Sequence, residues 1–373
     1  MSFLIAYIVI AASCIVISAR TLISYTDCSD FVKAGVYILF VIAWFAPILI
    51  WSLQPRGILP VGMYTVVAKS GYFLFGFAFI LVMLLIFRDL VWGGAYLLSG
   101  KKIISPNDFN ALQYANYGTL IVAFLLSVYS VYSAERMPEP VIYEFKDSRI
   151  NKPVKILMVS DIHITKMTPI EKVKNLVKHF NEQNPDMVLM VGDIADDKAE
   201  HIQKQIKELG KIKAPMGVFY TLGNHETYFD AIRWESEFAS LGWKVLHNSG
   251  VSVEGTGIYV AGLPDAHRFS TNTKQAIRQA KDDEYRILLS HIPATVKNIG
   301  DAKIDLQVSG QTHGGQIFPF NFFAKWGNAG FVFGKYEIDE DTKLIISRGV
   351  GYWGPQMRLL APNDMTIINL MPE

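Results

Sequence analysis

The chain has 373 residues, of which 51% are hydrophobic and 18% charged, a balance too apolar for one ordinary soluble domain. Its 35 Lys and Arg against 34 Asp and Glu leave a net charge of +1, which argues against a broad nucleic-acid surface, so no nucleic acid is expected as a partner. The two cysteines, Cys14 and Cys28, both precede the polar part of the chain and give it no disulfide framework.

The excess apolarity is local. Residues 3–19, about 33–52, about 71–87 and about 118–133 are nearly uncharged runs, each close to the roughly 17–25 residues that a bilayer span needs. They predict a transmembrane region of four helices over residues 1–133, because helices of a soluble bundle would carry a polar stripe that these lack. The third span has two readings, one ending at Phe87 and one continuing past Arg88 and Asp89 to about Leu98. A cleaved signal peptide is not expected, since no Lys or Arg precedes Arg20 and further spans follow. The reading is an integral, multi-pass membrane protein with the lipid bilayer as a partner. Its orientation stays open: Arg20, Lys33, Lys101 and Lys102 flank one set of loops, Arg56, Lys69 and Arg136 the other, and the positive-inside rule does not choose between them.

After Tyr132 the composition turns charged and is broken by Pro138, Pro140 and Pro153, which predicts a membrane-exit linker over residues 134–153. From Val154 to residue 373 a second domain is expected. Strand-length apolar runs ("VKILMVS", "MVLMVGD") alternate with amphipathic helices, one presenting Ile170, Val173, Leu176, Val177 and Phe180 on a single face, another around residues 199–212. That order predicts an α/β fold, a mixed sandwich with much parallel sheet.

Each main strand candidate stops at a residue that can bind a metal or move a proton. "ILMVSDIH" delivers Asp161 and His163, "MVLMVGD" delivers Asp193, "VFYTLGNHE" delivers Asn224 and His225, "RILLSHIP" delivers His291, and "LQVSGQTH" delivers Gln311 and His313. In open α/β sheets ligands bind beyond the carboxyl ends of strands, so these groups should meet in one crevice. Carboxylate, amide and imidazole without thiolate suit borderline or hard divalent ions such as Mn²⁺, Fe²⁺, Zn²⁺ or Mg²⁺, with Mn²⁺ favoured. Asp193, alone on its strand, is suited to bridge two ions about 3.5–4 Å apart, an arrangement that polarises a phosphoryl group and acidifies water.

Taken in order, DxH (Asp161, His163), GD (Gly192, Asp193), GNHE (Gly223 to Glu226), a lone His291 and GxTHGGQ (Gly310 to Gln316) resemble the calcineurin-like metallophosphoesterase superfamily. The likeness covers about residues 154–370, and the late "SRGVGYWGPQMRLLAP" is similar to the closing strands of its membrane-associated or secreted bacterial branch. The resemblance implies a four-layer α-β-β-α sandwich and a two-metal site. By position, Asp161, His163, Asp193 and His313 would hold the first ion, Asp193 would bridge, and Asn224 and His291 would help hold the second. His225 would bind no ion and would stand beside the leaving-group oxygen as general acid, with Glu226 in support. Gln311 departs from the family pattern, which carries His there. Its carbonyl oxygen is expected to face the second ion and to weaken and harden that site.

The expected activity is membrane-anchored, metal-dependent hydrolysis of a phosphomonoester, phosphodiester or pyrophosphate. The substrate is a phosphorylated small molecule or, given the anchor, a lipid-linked one; UDP-diacylglucosamine is a family-level example. The rival reading is a non-catalytic membrane sensor or scaffold with a one-metal site, against which the retained His225 speaks. Three further expectations are local. Asp196 and Asp197 are read as solvated or helix-capping. His179 and His201 are read as solvated on helices, with Asp265, His247 and His267 unassigned. The aromatic stretch 318–336 is read as a hairpin packed on its own core in preference to one dipping into headgroups.

Overall fold

The structure is a computed structural model describing residues 2–54, 56, 58–98 and 108–373, so Lys101 and Lys102 lie outside the described residues. It divides into two compact units, residues 1–133 with Gly354–Leu359, and Ala134–Trp353 with Leu360–Glu373.

The first unit carries four helices long and apolar enough to cross a membrane: α1 (Ser2–Ser24), α2 (Asp30–Leu53), α3 (Val61–Leu98) and α4 (Phe109–Glu135). Helix α3 runs unbroken through Arg88 and Asp89, and its 38 residues make it about 57 Å long at the usual rise per residue. The charge is accommodated locally. Arg88 bonds Asp89 and the Asn116 Oδ1 of α4, while Asn116 Nδ2 donates 3.3 Å bonds to the Thr21 and Leu22 carbonyls of α1. This polar knot joins three helices where an unpaired guanidinium would be costly. The short segment Gly354–Leu359 belongs to the same unit, with Arg358 N donating to Ser130 O at 2.8 Å.

The second unit is built on two six-stranded sheets. Sheet one contains β1 (Glu139–Lys146), β2 (Val154–Val159), β3 (Met187–Val191), β4 (Val218–Thr221), β5 (Lys244–Val245) and β12 (Asp364–Met371), in the order β1-β12-β2-β3-β4-β5. Sheet two contains β6 (Ser249–Val253), β7 (Ile258–Gly262), β8 (Tyr285–Leu289), β9 (Leu306–Ser309), β10 (Gly334–Glu337) and β11 (Lys343–Ile346), in the order β10-β11-β9-β8-β7-β6. Strands β2 to β5 run parallel, as do β7, β8, β9 and β11. The helices are α5 (Ile170–Glu182), α6 (Ala199–Leu209), α7 (Asn224–Phe229), α8 (Ala231–Ser240), α9 (Thr273–Ala276) and α10 (Asn321–Gly327).

The strand periodicity of two explains the layers. On β2, Ile156 and Met158 face the second sheet and pack with Ile287, Leu289, Leu306 and Val308 in the inter-sheet core. Their neighbours Leu157 and Val159 face outward against Val173, Leu176, Val177 and Phe180 of α5 and Ile202 and Ile206 of α6. Sheet two has its own outer cover, Ala276, Ile299 and Ile304 over Tyr259 and Leu288. The result is an α-β-β-α sandwich that leaves the carboxyl ends of β2, β3, β4, β8 and β9 at one edge.

Two expectations are corrected here. Residues 134–153 are not a linker: β1 lies within them and pairs in parallel with β12 over eight residues. Proline is tolerated because β1 is an edge strand. The aromatic stretch is also not a packed hairpin throughout. Phe331 is buried with Val296, Leu344 and Ile346, but α10 buries none of its residues, leaving Phe322, Phe323 and Trp326 at 63%, 61% and 87% exposure.

Candidate metal centre

Strands β2, β3 and β9 each end in a tight turn that carries candidate ligands, while Asn224 and His225 after β4 open helix α7. The backbone shows the cost: Asp161, His163, Asp193, Gln311 and His313 all adopt positive φ, between 49° and 74°. Ordinary side chains avoid this region, so its concentration at candidate ligands marks a site held by its surroundings. The turns are sewn to one another, with Asp161 N donating to Gly192 O, His163 N to Asp193 O and Gly310 N to His291 O, at 3.0–3.1 Å. Glycine is required where loops touch ligands. A Cβ at Gly223 would sit 2.1 Å from Asp193 Oδ1, and one at Gly310 would sit 2.3 Å from Asp161 Oδ2.

Three groups of donors converge to within 4.8 Å: Asp161, His163 and His313; Asp161, Asp193 and His291; and His163, Asp193 and His225. The Nε2 atoms of His163 and His313 face each other at 3.0 Å, with Asp161 Oδ1 3.4 Å from His313 Nε2. His291 Nε2 lies 3.1 Å from Asp193 Oδ2, while its Nδ1 donates to Val191 O at 2.8 Å, a tautomer that leaves Nε2 to serve as a ligand. Asn224 Nδ2 donates to Tyr228 Oη at 2.9 Å, which aims Asn224 Oδ1 the other way, buried and unpartnered. Gln311 N donates to Asp161 Oδ1 at 3.1 Å, and its own Oε1 is likewise buried without a partner. Buried carboxylates and facing imidazoles, with unpartnered oxygens on Asn224 next to His225 and on Gln311 two residues before His313, are a poor polar cluster but a good cation site, so the donor set fits divalent metal. The structure thus brings Asp161, His163, Asp193, Asn224, His225, His291, Gln311 and His313 to one place.

A family model described as calcineurin-like phosphoesterase matches residues 154–334. The chain is 33% identical over 295 residues to an uncharacterized metallophosphoesterase of Campylobacter jejuni, an alignment covering 77% of this chain and 78% of that one. The chain belongs to the metallophosphoesterase family. It is also 30% identical to an uncharacterized metallophosphoesterase of Helicobacter pylori, covering 71% of each chain. A transmembrane protein with metallophosphoesterase domain from Bos taurus is 31% identical, over 72% of this chain and 65% of that protein.

In this metallophosphoesterase Asp196, read from the sequence as a solvated or capping residue, proves to be part of the centre. Its Oδ1 lies 2.7 Å from His225 Nδ1 and its Oδ2 3.4 Å from His163 Nδ1, so it orients the first ring and lies against the second. Asp197 is a buried latch, accepting from Lys166 N at 3.0 Å and Lys198 N at 2.8 Å and holding His201 Nδ1 at 2.7 Å. Helix α6 has Lys198 at its N-cap position and no side-chain cap. His179, also expected to be solvated, contacts Pro138 O at 2.9 Å. Glu226 is fully buried and accepts from the amides of Asp193, Ile194, Ala195 and Gly223 at 2.6–3.0 Å, which braces the Asp193 turn.

Without metal the charges lean on one another. Burial alone would raise Asp193, but the imidazoles of His291, His225 and His163 outweigh it and hold this carboxylate far below its usual range. Burial raises Asp161, opposed by His291 and reinforced by Asp193. His225 is pulled up to about 9 and His291 to about 10, because burial, which lowers both, loses to Asp196 and Asp193 at the first and to Asp193 at the second. Glu226 is lifted to about 7 by burial and by Asp193. Both imidazoles thus have folded values above an unfolded value near 6.5, so their contribution is complete below about pH 6.5 and is lost as pH rises through 9–10. The chelated protein should therefore melt at progressively lower temperature between pH 7 and 10, with a slope of up to roughly 1.4 kcal/mol per pH unit for each imidazole. Loading with Mn²⁺, which needs His291 neutral, should flatten that slope. Thermal melts with and without the ion test this, and a chelated protein whose melting temperature rises over the window would contradict the charge assignment.

Proposed function

We propose that this protein is a membrane-anchored phosphohydrolase that uses two divalent ions, Mn²⁺ foremost, to cleave a phosphomonoester, phosphodiester or pyrophosphate. The observation that carries the reading is His225. Its ring stands in the donor cluster, yet its Nδ1 is committed to Asp196, which leaves Nε2 turned toward the ligand side. A site built only to store an ion has no use for an imidazole oriented in this way.

Asp161, His163, Asp193 and His313 would hold one ion, and Asp193, Asn224 and His291, with Gln311 oxygen beside them, the other. A bound pair supplies polarisation of the phosphoryl group and acidification of water. The chain's own residues do the rest. In its imidazolium form His225 gives the Nε2 proton to the departing oxygen, and Asp196, accepting from Nδ1–H, fixes the ring and stabilises the charged form that donates. Glu226 keeps the Asp193 turn from relaxing. A multi-pass anchor fits the four apolar helices, and a lipid-linked phosphate fits both the anchor and the exposed Phe322, Phe323 and Trp326 beside Lys325, a composition suited to headgroups.

The test is turnover of p-nitrophenyl phosphate and bis-p-nitrophenyl phosphate by the full-length protein in detergent, stripped of metal and reloaded with Mn²⁺, beside release of phosphate from a phosphorylated lipid. Activity should vanish on stripping and return with the ion. Undiminished turnover with metal content near zero would end the two-metal reading.

A further inference from the structure

Gln316, the last residue of the GxTHGGQ motif, contributes no group to the donor cluster, yet it is held at a φ of 53° three residues beyond His313. Its side chain spans the loop opposite: Nε2 donates to Trp353 O and Oε1 accepts from Trp353 N, both at 2.9 Å. The loop bearing Trp353 is fixed from its other side as well, with Val350 N donating to Ser160 O at 3.0 Å and Gly351 N to Asp161 O at 2.7 Å. The same loops that place Asp161 and His313 therefore place Trp353. The ring itself is 51% exposed, with its centroid 6.0 Å from that of His225. Tyr228, 47% exposed, stands 5.0 Å from the same imidazole.

We infer that Trp353 and Tyr228 are a recognition surface for the leaving group, that the group they select is a flat aromatic or heteroaromatic ring such as a nucleoside or aryl moiety, and that Gln316 is the positioning residue that holds Trp353 for it. The inference rests on the phosphohydrolase reading, in which His225 faces the leaving oxygen. A large ring pinned at its backbone and left half in water offers apolar area at little cost in side-chain freedom, the property of a binding anchor. The neighbours Asn224, Asp196 and Gln316 are polar, which suits a ring with apolar faces and a hydrogen-bonding edge. An acyl chain would want a continuous aliphatic groove.

The experiment measures, by initial-rate competition against p-nitrophenyl phosphate turnover, the inhibition constants of inorganic phosphate, phenyl phosphate, a nucleoside monophosphate and glucose 1-phosphate for the Mn²⁺-loaded full-length protein, with melting temperature recorded for every variant. The wild type should bind the two ring-bearing phosphates about ten-fold or more tighter than inorganic phosphate, the scale of one aromatic stack. In Trp353→Ala that ratio should collapse toward one, in Trp353→Phe most of it should return, and Gln316→Ala should lie between. Phosphate bound equally well with and without the ring in the wild type, or an equal gain from glucose 1-phosphate, overturns the inference while leaving the phosphohydrolase reading standing. No competition between phosphate and a turned-over substrate would instead remove that reading. A ratio unchanged in a well-folded Trp353→Ala variant assigns the ring contact elsewhere and rejects the role given to Trp353.

Discussion

Asp193→Asn should give a folded protein that retains fewer than two ions and turns over p-nitrophenyl phosphate roughly 10³-fold or more slowly, since a metal site contributes several kcal/mol and each decade is about 1.4 kcal/mol. Asp193 is shared by two of the three donor groups, and its Oδ2 lies 3.1, 3.7 and 4.0 Å from His291, His163 and His225. Asp161 Oδ1 also reaches three imidazoles, His313, His163 and His291 at 3.4, 3.9 and 3.9 Å, but only Asp193 also touches His225, so its loss should disturb both the ions and the proton donor. Asn keeps the volume and the left-handed turn, which separates loss of charge from loss of fold. Metal content by mass spectrometry and turnover on the same preparation are the measurements. Two ions retained with more than a tenth of wild-type activity would mean that Asp193 is not the shared ligand.

The second large effect belongs to the proton donor. His225→Ala should lower kcat by roughly 10²–10⁴, the usual contribution of a positioned acid, and leave both ions bound. The loss should shrink as the leaving group becomes a weaker base, because a good leaving group departs without help. Asp196→Asn should give a milder loss of about 10–100-fold, since it removes the partner of the imidazole and not the imidazole. Its pH profile should move to lower pH, because the carboxylate is what raises His225 against the opposing effect of burial. A leaving-group dependence identical in wild type and His225→Ala would place His225 elsewhere in the mechanism.

The donors of the centre were legible because each sits just past a short apolar strand, and a parallel sheet sends such positions to one edge whatever the loops between them do. Asp196 was not legible. It lies 29 residues from His225, with helix α6 and strand β4 between them, and only the meeting of two strand ends turns the pair into a hydrogen bond. The strand β1 was hidden by Pro138, Pro140 and its charged side chains, features of a linker that an edge strand also tolerates. Helix α10 misled in the opposite sense: five aromatic residues from Phe318 to Trp326, with Phe331 beyond them, suggested a core, whereas of these only Phe331 is buried, and composition does not report which rings turn inward.

The five left-handed residues of the centre carry a second meaning. At about 1 kcal/mol or more each, they burden the fold by on the order of 5 kcal/mol, against a typical net stability of about 5–15 kcal/mol. The unloaded protein is then a spring held under tension by its own hydrogen bonds. Ion binding would offset that tension, so survival of the folded chain would be tied to metal supply, and a polypeptide made during metal scarcity would be the one that proteases find first.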